Sequence, residues 1–317
     1  MSTATVSRVL NNNQNVSPET AKRVLAVIDK LGYQPNHLGR HLRKNETKTI
    51  LVLVSTVANT LISKVISSIE ITGMELGYTV LIGTTNDEKK RENAHIDLLR
   101  CKFIDGMIII NTLMNKQELA CLNKRYNIVQ CCESIPDTDV SSVSINNKEA
   151  TYQAVKHLIS LGRRKIAYIG VKNHLSSSEQ RYLGYVGALT EFGIQIDKSI
   201  ISDGNYGFRS AIEVMNKFLL KPDKPDAVFA ISDRMAAGAV RAIKDNGRTI
   251  PDDIAVVGFD NTDISYISEP RLTTVSQSPA EMGKKAMQLL DKKLKGLNIT
   301  SNVVIKHKLI YRESTMG

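Results

Sequence analysis

Apolar and polar positions recur along this chain with two different periods, and the change of period divides it. In "STATVSRVLNN", Ser2 stands where an N-cap belongs, and Val6, Val9 and Leu10 recur at i, i+3 and i+4, which predicts a helix with one buried face. Thr3, Ala4, Ser7, Arg8 and Asn11 fall on the other side. Small polar groups and one guanidinium can approach phosphates and base edges without steric clash, although an ordinary amphipathic surface helix has the same pattern. After a polar turn, "VSPETAKRVLAVIDKLGYQPN" predicts a second helix, with Val16 as staple, Ser17 as cap, Pro18 in the first helical position and Glu19 at the positive dipole end. Its stripe is Ala21, Val24, Leu25, Ile28 and Leu31, and Gly32 and Pro35 end it. Two such short helices cannot bury their stripes against each other alone, because so small a unit lacks a core.

From Thr49 the pattern becomes continuous apolar runs. "TILVLVS", "YTVLIG", "DGMIII" and "IVQCC" read as buried strands separated by helical segments such as "LISKVISSIEITGMELG" and "RENAHIDLLRCK". A second set follows in "KIAYIG", "AVFAIS" and "IAVVGFD", with helices expected near 147–161, 179–192, 207–219 and 234–246. β-α-β alternation of this kind builds α/β lobes with doubly wound parallel sheets, and two in tandem imply a cleft at the carboxyl ends of the strands.

Composition narrows the class. The 317 residues are 42% hydrophobic and 23% charged, as in a globular protein, with no apolar run of membrane-spanning length and no secretory leader. Cys101, Cys121, Cys131 and Cys132 lack metal spacing, which points to a reducing, cytoplasmic setting, and the adjacent pair 131–132 reads as strand packing rather than a redox switch. The net charge is +10, and half of the excess lies in residues 1–48, where Arg8, Lys22, Arg23, Lys30, Arg40, Arg43, Lys44 and Lys48 face only Glu19, Asp29 and Glu46. A basic headpiece on a nearly balanced body is the footprint of phosphate attraction, though a solvated basic face is the plain alternative. His37 and His41 stand at i, i+4 with no third ligand nearby, so no metal site is expected there.

"STATVSRVLNN", "VSPETAKRVLAVIDKLGYQPN" and "HLGRHLRKNETKTI" resemble the DNA-binding headpiece and hinge of the LacI/GalR family of repressors. The likeness continues through "HLISLGRRKIAYIG", "EQRYLGYVGALTEFGI", "AVFAISDRMAAGAVRAIKDNGRTIPDDIAVVGFDNTD" and "PRLTTVSQS", in the family's order over essentially the whole chain. Within the family, "HIDLLRCKFIDGMIII" and "RYLGYVGAL" look most like a cytidine-responsive member. The resemblance implies a homodimeric repressor of double-stranded operator DNA with a partial all-α helix-turn-helix headpiece and hinge helix over 1–48. It implies a two-lobed, periplasmic-binding-protein-like body: 49–147 plus 276–300 as first lobe, 148–275 plus 301–317 as second. The helix from Ser2 would enter the major groove, with Thr3, Ala4 and Arg8 as base readers and Ser2, Thr5, Ser7 and Asn11 as positioning contacts; for Ser2 and Ser7, capping and solvation are the alternative. Leu42, in a hinge helix over 36–44, would be a minor-groove wedge, or else a linker leucine; Gly39 there raises the cost of ordering that helix.

In the cleft the resemblance marks Arg181 and Asp260 as effector contacts, a donor fork and an acceptor suited to vicinal hydroxyls, with a structural ion pair as the alternative. Tyr206 would stack on the effector or be a half-buried loop tyrosine. Ser232 fits either hydroxyl contact or helix capping, and Asn59 and Glu133 complete the candidate set. Several positions depart from the family. "NTLI" at 59–62 lacks an aromatic, Cys132 and Asn146 stand where acids are common, and the sequence starts after the usual first headpiece helix. Met1 stands where a valine is common, so an internal GUG start or a truncation is expected, with an unstable headpiece and weak DNA binding as the consequence.

A nucleoside such as cytidine, or a sugar, is the expected effector, and no cofactor is expected. The alternative is a solute-binding protein for nucleosides or sugars without DNA-binding activity, which would lack the first helix. An enzyme is disfavoured, since no nucleophile elbow, phosphate-binding glycine loop, zinc motif or triad is recognisable. Effector and DNA would couple through the angle between the lobes.

Overall fold

The computed structural model describes residues 2–10, 16–31, 46–173, 175–297 and 299–316. It divides into two compact units, 1–47 and 48–317. In the small unit α1 spans Thr3–Leu10 and α2 spans Pro18–Leu31. Ser2 caps α1, its hydroxyl accepting from the Thr5 amide at 3.3 Å, and Ser17 caps α2 through the Thr20 amide in the same way. Val9 and Val24 are buried, but Leu25 is 52% and Leu31 72% exposed, so two of the five residues of the second helix's predicted stripe are left uncovered among the described residues. Asn11, Leu42 and the expected hinge segment with His37, Gly39 and His41 lie outside the described residues.

The large unit holds two six-stranded sheets. The first is built from β1 (Thr49–Val54), β2 (Thr79–Thr84), β3 (Gly106–Ile109), β4 (Asn127–Cys131), β5 (Ser142–Ile145) and β11 (Asn302–Ile305), in the order β11-β5-β4-β3-β1-β2 with every pairing parallel. The second contains β6 (Ile166–Gly170), β7 (Ile201–Asp203), β8 (Ala227–Ala230), β9 (Ala255–Asp260), β10 (Thr273–Ser276) and β12 (Lys308–Ile310), in the order β12-β10-β9-β8-β6-β7, parallel except where β12 runs against β10. The connecting helices are α3 (Thr60–Glu75), α4 (Lys89–Arg100), α5 (Lys116–Asn123), α6 (Asn147–Ser160), α7 (Ser176–Glu191), α8 (Phe208–Leu219), α9 (Asp233–Asp245), α10 (Asp263–Ile267) and α11 (Pro279–Leu294).

Both faces of the first sheet are covered, which explains why its strands lack alternation in sequence. Along β1, Ile50, Val52 and Val54 point to one apolar cluster and Leu51 and Leu53 to the other. Helices that cross at close range do so over glycines. A Cβ on Gly184 of α7 would come within 2.2 Å of the Lys148 carbonyl on α6, and one on Gly283 of α11 within 2.5 Å of the Val65 carbonyl on α3.

The chain crosses between the lobes after β5, after β10 and between β11 and β12. The last crossing corrects the expected boundary at 300/301. Residues 302–305 pair in register with β5, Asn302 opposite Ser142 through Ile305 opposite Ile145, so they belong to the first lobe. The run is apolar in three of its four residues but too short to stand out as a strand.

Candidate functional site

Parallel strands ending together leave their carboxyl ends free of helix, and ligand-facing side chains collect there. In the second lobe α7 presents Arg181 toward the ends of β8 and β9. Its Nε donates to the Asn147 side-chain oxygen at 2.9 Å and its Nη1 to the Ile231 carbonyl at 2.6 Å, while the guanidinium lies 3.8 Å from the centre of the Phe259 ring. Nη2 donates to no other group among the described residues. Asp260 closes β9 with a backbone φ of 108°, a conformation that non-glycine residues rarely adopt and that costs about 1–3 kcal/mol. Gln277, just past β10, donates to its Oδ1 at 2.6 Å, and Arg181 Nη1 stands 4.0 Å from the same oxygen. Its Oδ2 accepts no hydrogen bond among the described residues.

Both groups are buried, with 7% of each residue exposed. Burial pushes the Asp260 carboxyl up to about 7; the Arg181 guanidinium opposes that rise, neighbouring Asp233 adds to it, and the Gln277 bond opposes it. Asp233 itself is raised by burial to about 6 against hydrogen bonds from Thr274 and Thr262. The Asp233 carboxylate ties α9 to the β9-α10 turn, accepting from the Thr262 amide at 2.6 Å and the Thr274 hydroxyl at 2.5 Å. The family resemblance marked Asp260 but passed over Asp233, Gln277 and Asn147. Asn147 and Gln277 could have been found by position, since each stands within two residues of a strand's carboxyl end.

Tyr206 lies on the loop after β7 with φ 51°, half-buried, its hydroxyl 3.0 Å from that of Ser178. Ser178 and Arg181 are three residues apart on α7, so all three share one side of that helix. Ser232 caps α9 by accepting from the Met235 amide at 3.3 Å, which gives its hydroxyl a structural task. Asn59 likewise caps α3, its side-chain oxygen accepting from the Leu61 and Ile62 amides at 2.9 and 3.2 Å. Both serve their helices whatever else they touch.

Glu133 bridges the lobes. It follows β4 in the first, yet its carboxylate accepts from the Ser177 amide at 3.0 Å and from the Ser177 hydroxyl, at the first turn of α7 in the second. The residue before α7, Leu175, supplies no side-chain cap. Cys132, with φ 70°, turns the chain so that Glu133 leaves the sheet toward that helix. A cavity of about 230 Å³ opens beside this bridge, lined by Glu133, Ser144, Asn146, Asn147, Ser177 and Gln180 among others. Asn147 thus joins the cavity to the Arg181 fork. The Cys132 thiol is held well above its ordinary value by its contact with Cys131, by burial and by Glu133 and Asp260, so it stays protonated.

In the small unit Thr3, Ala4, Thr5, Ser7 and Arg8 are all on α1, and Arg8 is exposed. Ser2 and Thr5 join hydroxyls at 3.0 Å at its first turn. No helix among the described residues is long and apolar enough to cross a membrane.

Residues 1–36 match the family described as bacterial regulatory proteins, lacI family, and residues 155–315 match the periplasmic binding protein-like domain. The HTH-type transcriptional repressor CytR of Escherichia coli strain K12 is 35% identical over 99% of this chain and 93% of its own. Among solved structures, the lac repressor dimer bound to operator and the anti-inducer ONPF is 25% identical, with a TM-score of 0.91 over 99% of this chain and 95% of that one. The transcriptional regulator CelR in complex with cellobiose is 29% identical, with a TM-score of 0.78 over 98% of this chain and 95% of that one.

Proposed function

Given that this chain belongs to the lacI family of bacterial regulatory proteins, a DNA-binding regulator with an effector-binding body, we propose that its cleft takes an uncharged polyhydroxylated effector, a nucleoside such as cytidine or a sugar. The observation that carries this reading is the pair Arg181 and Asp260. Both are nearly buried at the carboxyl ends of the second-lobe strands, one with Nη2 and the other with Oδ2 left over after their internal bonds. A free donor beside a free acceptor matches two adjacent hydroxyls, each of which gives one hydrogen bond and takes one. Tyr206 supplies an aromatic face on the same side of α7, and Asn147 and Glu133 extend the polar lining into the cavity. That a relative of this fold holds cellobiose supports a hydroxyl-rich ligand.

On the DNA side, α1 is the reading helix, with Arg8 as the base-reading donor fork and Thr3 and Ala4 beside it. Ser2, Thr5, Ser7 and Asn11 position the backbone, and Leu42 wedges the minor groove. Two copies of the chain act together on one operator, in the cytoplasm, where the DNA is. The family's regulatory character, seen in the match over 1–36, stands against both the enzyme and the solute-binding alternatives.

Calorimetric titration of the full chain with cytidine, other nucleosides and common sugars tests the effector reading. At least one compound should bind, and Arg181→Ala should weaken it by about a hundredfold or more, as expected for loss of a buried charged hydrogen-bonding group. Binding that ignores this substitution, or no binding by any of them, refutes it.

A further inference from the structure

The first lobe carries a predominantly basic rim at the amino ends of its strands. In a parallel sheet the helices run back against the strands, so α4, α5 and α11 all end at this rim. Their last turns and the turns that follow bear Lys102, Lys124, Arg125, Lys292, Lys293 and Lys295. Side-chain contacts tie the segments into one surface. Lys293 Nζ donates to the Asn123 side chain at 2.7 Å and to the Ile128 carbonyl at 2.9 Å, joining α11 to the end of α5. Asp291 accepts from the Tyr78 hydroxyl at 3.1 Å and pairs with Lys295 at 2.7 Å, while Lys48 Nζ lies 4.8 Å from the centre of the Tyr78 ring. Lys48 is the residue through which the chain enters this unit.

Cations at helix C-termini complement the helix dipole, and a solvated face is the ordinary explanation for them. The second lobe shows what that explanation looks like. At the matching rim Lys165 pairs with Asp223 and lies 3.8 Å from Asp197, Arg248 lies 3.7 Å from Asp253, and Asp226 accepts the Arg164 and Lys165 amides. At the first-lobe rim the acids are fewer, and Glu75 at the end of α3 and Asp139 before β5 are exposed. Asp105 takes the Lys48 amide at 2.7 Å and Asp97 takes Arg100 at 2.8 Å. Lys124, Arg125 and Lys292 are exposed and meet no carboxylate within 4.0 Å among the described residues, although Asp139 stands near them, its carbonyl accepting from Asn123. The second-lobe rim is thus laced with ion pairs, although Lys221, Lys224 and Lys244 there meet no carboxylate within 4.0 Å among the described residues, while at the first-lobe rim the cations outnumber the acids more clearly, at the point where the basic amino-terminal segment joins.

We propose that this rim is a second, sequence-independent contact surface for the phosphate backbone of duplex DNA. It rests on the DNA-binding reading of the family and adds to it a surface outside residues 1–47. Cations spaced along such a rim lie within a Debye length of phosphates that approach it, so they release counterions and steepen the salt dependence of binding.

The test uses the full chain and a random-sequence duplex of about 40 base pairs, long enough to pass beyond a single binding module. Its affinity is measured by fluorescence anisotropy across sodium chloride concentration. The triple variant Lys124→Gln, Arg125→Gln, Lys292→Gln should lower the slope of log affinity against log salt by about 2 to 3, and weaken binding at about 0.1 M salt by at least about tenfold. A second triple, Lys221→Gln, Lys224→Gln, Lys244→Gln, removes the same charge from the second lobe and should leave the slope unchanged. Thermal unfolding verifies that both remain folded. Equal effects of the two triples, or no effect of the first, overturn the proposal. If Arg8→Ala still weakens binding in that case, the family reading survives without the rim; if the parent chain binds no duplex even at about 50 mM salt, both fall.

Discussion

Replacing Asp260 by asparagine should make the body more stable in base while crippling the cleft. The folded carboxyl titrates at about 7 instead of the ordinary 3.8. Between those values the unfolded chain has lost its proton and the folded chain keeps it, so the folded state binds more protons and its stability falls as pH rises from about 4 to about 7, then levels. At about 1.4 kcal/mol for each tenfold in proton affinity, the ionised carboxylate costs the folded state up to about 4 kcal/mol at pH 8. Asparagine is nearly isosteric, can still accept from Gln277 through its carbonyl, and carries no such dependence. Urea unfolding at pH 5 and pH 8 should therefore show Asp260→Asn close to its parent at pH 5 and about 1–4 kcal/mol more stable at pH 8. Contributions from His157 and His307, whose values also shift on folding, cancel in the difference between variant and parent, while Asp233, which interacts with Asp260, adds to that difference. Effector affinity should fall about tenfold to a hundredfold, the worth of a charged hydrogen-bond acceptor. A variant less stable than its parent at pH 8, or a stability difference that does not change with pH, refutes the reasoning.

Arg181→Lys keeps the charge but loses the fork that reaches Asn147, Ile231 and the Phe259 face together, and calorimetry should show effector affinity reduced by about thirtyfold or more. In the absence of effector, Glu133→Gln weakens the bond across the lobes, so small-angle scattering should report a larger radius of gyration than the parent's; an unchanged radius would mean that other contacts hold the cleft. Gly184→Ala places a methyl 2.2 Å from the Lys148 carbonyl and should lower stability by about 2–3 kcal/mol in urea unfolding, whereas Gly187→Ala, with nothing within 4 Å on the same helix, should be neutral or stabilising by up to about 1 kcal/mol.

What could be read from the residues follows from how much apolar signal each element carries. Strands buried on both faces, such as β1, β4 and β9, are continuous apolar runs and stand out. Three of the four edge strands do not: β7, β11 and β12 are only three or four residues long, and β11 in particular misplaced a lobe boundary, whereas the six-residue edge strand β2 was read. α11 went unread although it is sixteen residues long and its start, Ser278 and Pro279 with Glu281 in the first turn, has the kind of signature that marked α2. In the cleft, Arg181 and Asp260 were legible through their motifs. The caps made by Asn59 and Ser232 are local, and capping was one of the two readings of Ser232, whereas the reach of Glu133 to Ser177 joins segments far apart in sequence, which no local pattern encodes.

The first turn of α7 owes its end group to the opposite lobe. When the lobes part, the Ser177 amide loses the Glu133 acceptor and no neighbouring side chain replaces it, so fraying should begin at Ser176 and spread toward Ser178 and Arg181. The guanidinium that would greet a ligand is thus best ordered when the jaws are already together, and an arriving molecule must trade its own contacts for a partly melted helix end.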